Sequence, residues 1–220
     1  TLTTDFANLS SKTNISILND RLELNTTNPG EAWWDTQWPY RVSFNLTNIT
    51  ADATQIPYLF RLNSSVVDTS SFNFSTARDE HRFIWYNSSS SNFVELKEYV
   101  ESWDESNENA SIWVLLPELT SGSDTTITLY YGKENETVDS NPDDIFLLYD
   151  NFSDGAAEDF TVQTGAWSVE NNESYYQTTS IGDYLITTAG SDNWQDYTIE
   201  TLVNVTGIGS PTYFAGVLFR

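Results

Sequence analysis

The sequence predicts an all-β protein: an antiparallel β-sandwich, jelly-roll-like, followed by a second and incomplete β-sandwich unit. Three observations predict it. Apolar and polar residues alternate with the period of two that a half-buried strand requires. Stretches rich in Ser, Asn, Asp, Gly and Pro punctuate these runs at short intervals, and apolar spacing of helical type is nearly absent. The 220 residues include 12 Phe, 12 Tyr and 8 Trp, enough aromatic mass for a substantial core.

Taken in order, residues 1–30 read as an N-terminal arm or linker. Asn14–Leu18 and Arg21–Leu24 flank Asn19-Asp20, a pair suited to a tight hairpin turn with positive φ. Asn25–Glu31 is turn-rich and marks a boundary. Residues 31–144 form the first sandwich. Arg41–Thr47 alternates strictly, with Val42, Phe44 and Leu46 on one face and Arg41, Ser43, Asn45 and Thr47 on the other. Ile56, Tyr58, Phe60 and Leu62 repeat the pattern. Arg82–Tyr86, Phe93–Val100, Ser111–Leu116 and Thr125–Tyr131 supply further strands. The polar, Pro-containing Asp139–Asp144 is the joint. Residues 145–220 then carry strands at Ile145–Asp150, Phe160–Thr164, Ala166–Val169, Asp183–Thr187, Asp196–Val205 and Tyr213–Arg220.

The charge excludes one class of partner. Nine basic against 32 acidic side chains give −23 at pH 7, which leaves little to displace the counterions around nucleic acid. The absence of Cys excludes disulfides, thiol chemistry and thiolate metal sites. No apolar run approaches the roughly 18–20 residues of a membrane-spanning helix, and Thr1 is not followed by a signal-peptide pattern. A chain without Met, ending on the strand-like Tyr213–Arg220, is expected to be a processed product or an excised piece cut inside a domain.

Asn-x-Ser/Thr sequons begin at Asn8, Asn14, Asn25, Asn45, Asn48, Asn63, Asn73, Asn87, Asn109, Asn135, Asn151, Asn172 and Asn204. That is 13 of 20 Asn, where a Ser plus Thr content near 24% predicts about 5 by chance. A Ser/Thr/Asn-rich surface is the plainer explanation. The excess favours an exported, N-glycosylated protein whose glycans cover outward strand positions and loops.

Trp38-Pro-Tyr-Arg-Val42, Asp79-Glu-His-Arg-Phe83, Tyr99-Val-Glu-Ser-Trp-Asp104, Ser111-Ile-Trp-Val-Leu-Leu-Pro117 and Thr128-Leu-Tyr-Tyr-Gly132 occur in that order. Through them, residues 34–132 resemble the domain-of-unknown-function family 2341 of large exported archaeal and bacterial surface proteins. Glu80-His81 departs from the shorter, more apolar Asp-Ile-Arg-Phe segment usual in that family. Asp150–Gly155, Gly165–Val169, Asp196–Glu200 and Ala215–Arg220 resemble the opening strands of a concanavalin-like, laminin-G-like jelly roll. The two resemblances imply an extracellular, cell-surface location. The second implies a sugar- or partner-binding element that often uses calcium. Neither brings a catalytic motif.

Candidate chemistry is sparse. His81 is the only histidine, no Gly-x-Ser-x-Gly accompanies it, and a place on the surface or in the packing is its expected role. Thirty-two carboxylates guarantee accidental pairs, so a glycosidase dyad cannot be argued from their presence. Calcium is the cation this oxygen-rich chain would take, with Asp150, Asp154 and Asp159 as metal candidates. Asp104, Ser106 and Glu108 alternate in a loop without the remaining features of an EF-hand. For each group the competing reading is a solvated acidic loop. Trp33, Trp34, Trp38 and Trp194 are the ligand candidates, because an indole face stacks on a pyranose; their competing role is packing. Trp85, Trp113 and Trp167 lie within strands and read as core. The preferred expectation is a non-catalytic cell-surface module for adhesion or glycan binding. Its competitor is a structural subunit of an extracellular filament or surface layer, assembled with neighbouring subunits by strand exchange through residues 1–28 or the incomplete second unit.

Overall fold

The computed structural model describes residues 33–177, 184–205 and 216–218, together with the backbone of 14–18 and 21–25. The chain divides into two compact units, 1–146 and 147–220. Among the described residues the fold is all-β with antiparallel ladders, and a 3-10 turn at Pro142–Asp144 accompanies them. At the N-terminus β1 (Asn14–Leu18) and β2 (Arg21–Asn25) pair as a hairpin in the expected register, Leu18 opposite Arg21.

Seven further strands of the first unit follow. They are β3 (Tyr40–Leu46), β4 (Ala53–Asn63), β5 (His81–Asn87), β6 (Asn92–Glu95), β7 (Glu98–Asp104), β8 (Asn109–Leu119) and β9 (Thr125–Tyr131). One sheet has the order β3-β9-β5-β6, the other β4-β8-β7. The alternation dictates which side each residue takes. Phe83, Ile127, Leu129 and Tyr131 from the first sheet share one core with Phe60, Leu62, Ile112, Val114 and Leu116 from the second. Phe60 joins the layers, its ring 5.0 Å from Phe44 and 4.9 Å from Phe83. Each such side chain contributes about 1.5–3 kcal/mol by leaving water, so the two apolar faces hold the sheets together as a β-sandwich. Val42, Phe44 and Leu46 pack on this core, while Ser43 and Asn45 are exposed.

The run Phe93–Val100, expected as one strand, is two. Its reason is a change of sheet. Leu96 N still bonds Phe83 O at 2.8 Å in the first sheet, whereas Lys97 O already accepts from Leu115 N at 2.9 Å in the second. Leu96, buried at the crossing, anchors the step.

Residues 63–77 between β4 and β5 repeat every five residues. Asn63, Asp68 and Asn73 each accept, through the backbone carbonyl, from the N–H groups three and four residues on. Each also accepts, through Oδ1, from the N–H of the serine two residues on: Ser65 at 2.9 Å, Ser70 at 3.1 Å and Ser75 at 3.0 Å. These are Asx turns, in which a short polar side chain replaces a ladder partner for the backbone. The fifth residue of each repeat, Val67, Phe72 and Ala77, is buried. The connector thus satisfies its own backbone and still drives an apolar side chain into the core at every turn.

Gly132, just past β9, has φ +83°, and a Cβ there would meet Tyr40 Cδ2 at 2.8 Å. Gly132→Ala is expected to lose at least about 1 kcal/mol in a chemical-denaturation midpoint, from both the left-handed backbone and the displaced ring.

In the second unit β10 (Phe160–Thr164) pairs with β13 (Ile186–Ala189), and β11 (Trp167–Glu170) with β12 (Ser174–Gln177). Tyr175 organises it. Its ring lies 5.7 Å from Phe152, 5.0 Å from Phe160 and 5.3 Å from Trp167. Two expected strands are corrected. Ile145–Asp150 is not a strand: Asn141 caps the 3-10 turn through Asp143 N, and the following apolar pair packs instead of pairing. Ile145 is buried, and Phe146 rests 5.3 Å from the Trp113 ring. Asp196–Val205 joins no ladder among the described residues, and Leu202 is 95% exposed. The strand expected at Asp183–Thr187 starts later, at Ile186, and β12 was not expected at all. Of Tyr213–Arg220 only residues 216–218 are described, and they form no strand.

Candidate functional site

Three places in this fold carry chemistry. The first is inside it. His81 opens β5 on the core side and is fully buried, with Trp103 stacked on its ring and Phe83 against its edge. Nδ1 lies 2.7 Å from Ala77 O. A carbonyl only accepts, so Nδ1 carries a hydrogen. Nε2 faces the Glu98 carboxylate, also buried, with 2.7 Å to Oε1. A bare nitrogen lone pair would repel a carboxylate at that distance, so the pair holds a proton between its members.

The contact is short enough for a charged pair but out of line for a well-directed hydrogen bond, and neither Glu98 oxygen has another partner. Burial pushes the imidazole down. The Glu98 charge and contact, with the Ala77 carbonyl, override burial and the opposing Arg82 charge, and hold His81 above its ordinary 6.5. A group whose affinity for a proton rises on folding contributes fully below its unfolded value. That contribution is lost as pH rises through the folded value. The melting temperature of the first unit is therefore expected to fall as pH is taken from below 6.5 into the alkaline range. A His81→Leu/Glu98→Leu variant should lack this component, and a wild-type melting temperature that rises over that interval would count against the assignment. The pair is sealed from solvent and offers no surface to a substrate.

The second place is the outer face of the four-stranded sheet. Trp38 is buried there on Ile84 and Tyr130, with Trp33, Trp34 and Phe93 packed around it. Trp33 Nε1 donates to Trp38 O at 3.1 Å, and Trp34 N donates to Tyr130 Oη at 3.0 Å. Arg41 sits 4.5 Å over the Trp33 ring, and Arg82 and Lys133 each lie 5.4 Å from the Trp38 ring. Cation–π contact and ring packing thus occupy the faces of Trp38 and cover Trp33. Arg82 also bonds Glu95 at 2.9 Å and Glu136 at 3.1 Å, tying the corner to its neighbours. In the second unit Trp194 is half-buried against Gly190 and 6.0 Å from Tyr197. Trp85 is buried; Trp113 and Trp167 are half-buried.

The third place is the sequon surface. Asn45, Asn48, Asn63, Asn73, Asn109, Asn135, Asn151, Asn172 and Asn204 are exposed, and Asn87 is half-buried. Asn8 lies outside the described residues, as do the side chains of Asn14 and Asn25. Four of these asparagines cap turns. Besides Asn63 and Asn73, Asn87 Oδ1 accepts from Ser89 N at 2.9 Å and Asn151 Oδ1 from Ser153 N at 3.0 Å. Turn chemistry therefore accounts for part of the sequon excess, because an Asx turn and a sequon share the same Asn-x-Ser spacing.

Among the described residues no three carboxylates or imidazoles group to hold a metal ion. Asp150 Oδ1 accepts from Phe152 N and Asp154 Oδ1 from Ala156 N, each capping its own turn. Partial burial, then the negative charges of Asp154, Asp159 and Glu158, push Asp150 upward against that bond. Asp104 is spent on Asn107, whose side chain and backbone hold it below its ordinary value.

The fold and these sites define a two-unit, antiparallel β-sandwich protein with a polar, sequon-bearing exterior. A family model described as a domain of unknown function (DUF2341) matches residues 79–170, from the residues before β5 through β11. The matched span holds the quoted segments from Asp79 to Gly132, and Trp38–Val42 precedes it. It continues through Asp150–Gly155 and Gly165–Val169. Neither a curated protein nor a solved structure matches the chain. No helix among the described residues is long and apolar enough to cross a membrane.

Proposed function

We propose that this chain is a non-catalytic, N-glycosylated module of an extracellular cell-surface protein, serving adhesion or glycan binding. The observation that carries the reading is the placement of the sequons: of the ten described, nine asparagines are exposed and one is half-buried. A sequon in a core is useless as an acceptor, and none of these ten is in a core. The charge of −23 supports the same reading, since it keeps the surface hydrated and repels nucleic acid. Residues 145–220 enter this proposal as a concanavalin-like unit, with Trp194 the aromatic to test for sugar contact. Peptide mapping by mass spectrometry of the protein from its native host is expected to find added hexose-type mass on sequon peptides. Thirteen unmodified sequons would overturn it.

A second reading, a structural subunit of an extracellular filament or surface layer, draws on a different observation. Among the described residues the ladders β10–β13 and β11–β12 are two-stranded, and Val162, Tyr176 and Ile186 in them are exposed. A neighbour's strand would cover such residues and complete the ladder. Sedimentation over a range of concentrations separates the two: polymers favour the filament, and a monomer that binds a glycan array favours the module.

A further inference from the structure

The ten described sequons differ in what their side chains are doing, and the difference is chemical. Asn63, Asn73, Asn87 and Asn151 each accept at Oδ1 from the N–H of the sequon's own third residue. A backbone N–H only donates, so this bond fixes which end of the amide is oxygen. Nδ2 is left turned away from the turn, with no protein partner among the described residues. The third residues Ser65, Ser75, Ser89 and Ser153 are all exposed beside it. Phe74, buried between Asn73 and Ser75, shows how firmly one such turn is pinned.

Three other sequons are held differently. Asn45 lies within β3, paired to Thr126 of β9, and its Oδ1 accepts from the Thr126 hydroxyl at 3.1 Å. Asn109 opens β8 between two neighbouring strands, opposite Asn63 and Asp104, and its Nδ2 donates to Asn107 O at 3.5 Å. Asn48 has φ 59°, and its Nδ2 donates to Thr47 Oγ1 at 3.3 Å. At Asn48 and Asn109 the nucleophilic Nδ2 is itself engaged, and at Asn45, where Oδ1 is the engaged atom, the side chain stands within a paired strand.

Resting on the glycoprotein reading above, we infer that glycans are carried by the turn-held sequons Asn63, Asn73, Asn87 and Asn151 in preference to Asn45, Asn48 and Asn109. The donor class is a lipid-linked glycosyl phosphate. Nδ2 attacks the anomeric carbon, an N–C bond forms, and the C–O bond to phosphate breaks with its electron pair going to the leaving phosphate. Nδ2 gives up one proton, which the departing phosphate takes up. The product is still an amide whose Oδ1 accepts the same backbone bond, so the turn survives its own modification. At Asn73 and Asn151 a sugar would project from a loop with no paired strand beside it, while Asn63 and Asn87 are the last residues of β4 and β5, opposite Asn109 and Asn92, where the chain leaves each ladder.

The test is site-resolved occupancy by glycopeptide mapping on protein from the native host. Glycan on the peptides of Asn63, Asn73, Asn87 and Asn151, with Asn45, Asn48 and Asn109 bare or several-fold less occupied, is the expected result. Equal or greater occupancy at Asn45, Asn48 and Asn109 would overturn the preference and leave the glycoprotein reading standing. No glycan at any sequon would remove both. Asn73→Asp supplies an internal control, because an aspartate accepts the Ser75 N–H as Asp68 accepts the Ser70 N–H. It should erase the glycan at that position with the melting temperature of deglycosylated protein unchanged. A fall in that melting temperature would contradict the idea that only the carbonyl serves the turn.

Discussion

Replacing His81 by Leu is expected to destabilise the first unit by about 3–5 kcal/mol, the range for breaking a buried charged pair from one side. The loss comes from what remains. Glu98 would stay buried at the start of β7 with neither oxygen satisfied, and its own replacement by Leu would strand His81 in the same way. The double replacement should recover most of the loss, since a well-packed apolar pair of similar volume is often no worse than an ion pair. Urea denaturation of the four proteins closes the cycle. Additive single losses in the double variant would mean that His81 and Glu98 are not coupled. Activity assays are beside the point here, because the readout is the fold.

Trp38→Ala is the second large effect, at about 3–5 kcal/mol, for the loss of a buried indole and the cavity it leaves. Trp38 supports Ile84 and Tyr130 from outside the sandwich and carries Arg82 and Lys133 on its ring. Trp194→Ala, at a half-buried loop position, should move the denaturation midpoint far less. The pair of variants separates packing from recognition. If Trp38 served a bound sugar at the expense of packing, its removal would leave stability within about 0.5 kcal/mol, as surface changes do.

The strands of the first unit were legible because alternation is a local signal. Thr125–Tyr131 is β9 to the residue, and Asn14–Leu18 is β1. What escaped was long-range. Nothing within Phe93–Val100 announces that Leu96 and Lys97 address different sheets; that depends on Phe83 and Leu115, partners remote in sequence. In the second unit, Ile145 and Phe146 have the composition of a strand but find packing partners before they find a ladder. At the sites, the absence of nucleophile motifs left His81 to the surface or to packing, and the structure places it in the core. Its proton was not legible, because Glu98 is brought to it by the crossing between sheets. Of the acidic candidates, Asp150 and Asp154 each cap their own turn, a use that the acidic composition of the segment does not reveal.

The five-residue connector has a consequence for how such a surface changes over generations. Its turns require an oxygen at positions 63, 68 and 73 and are indifferent to whether an amide or a carboxylate supplies it. Asp68→Asn would create a new acceptor sequence with Thr69 and Ser70, and Asn73→Asp would delete one. Each exchange leaves the backbone where it was. Acceptor sequences can thus be written onto or erased from this connector by single substitutions that keep its turns capped, so that on the proposed reading a glycan coat would be free to vary while the scaffold stays constant.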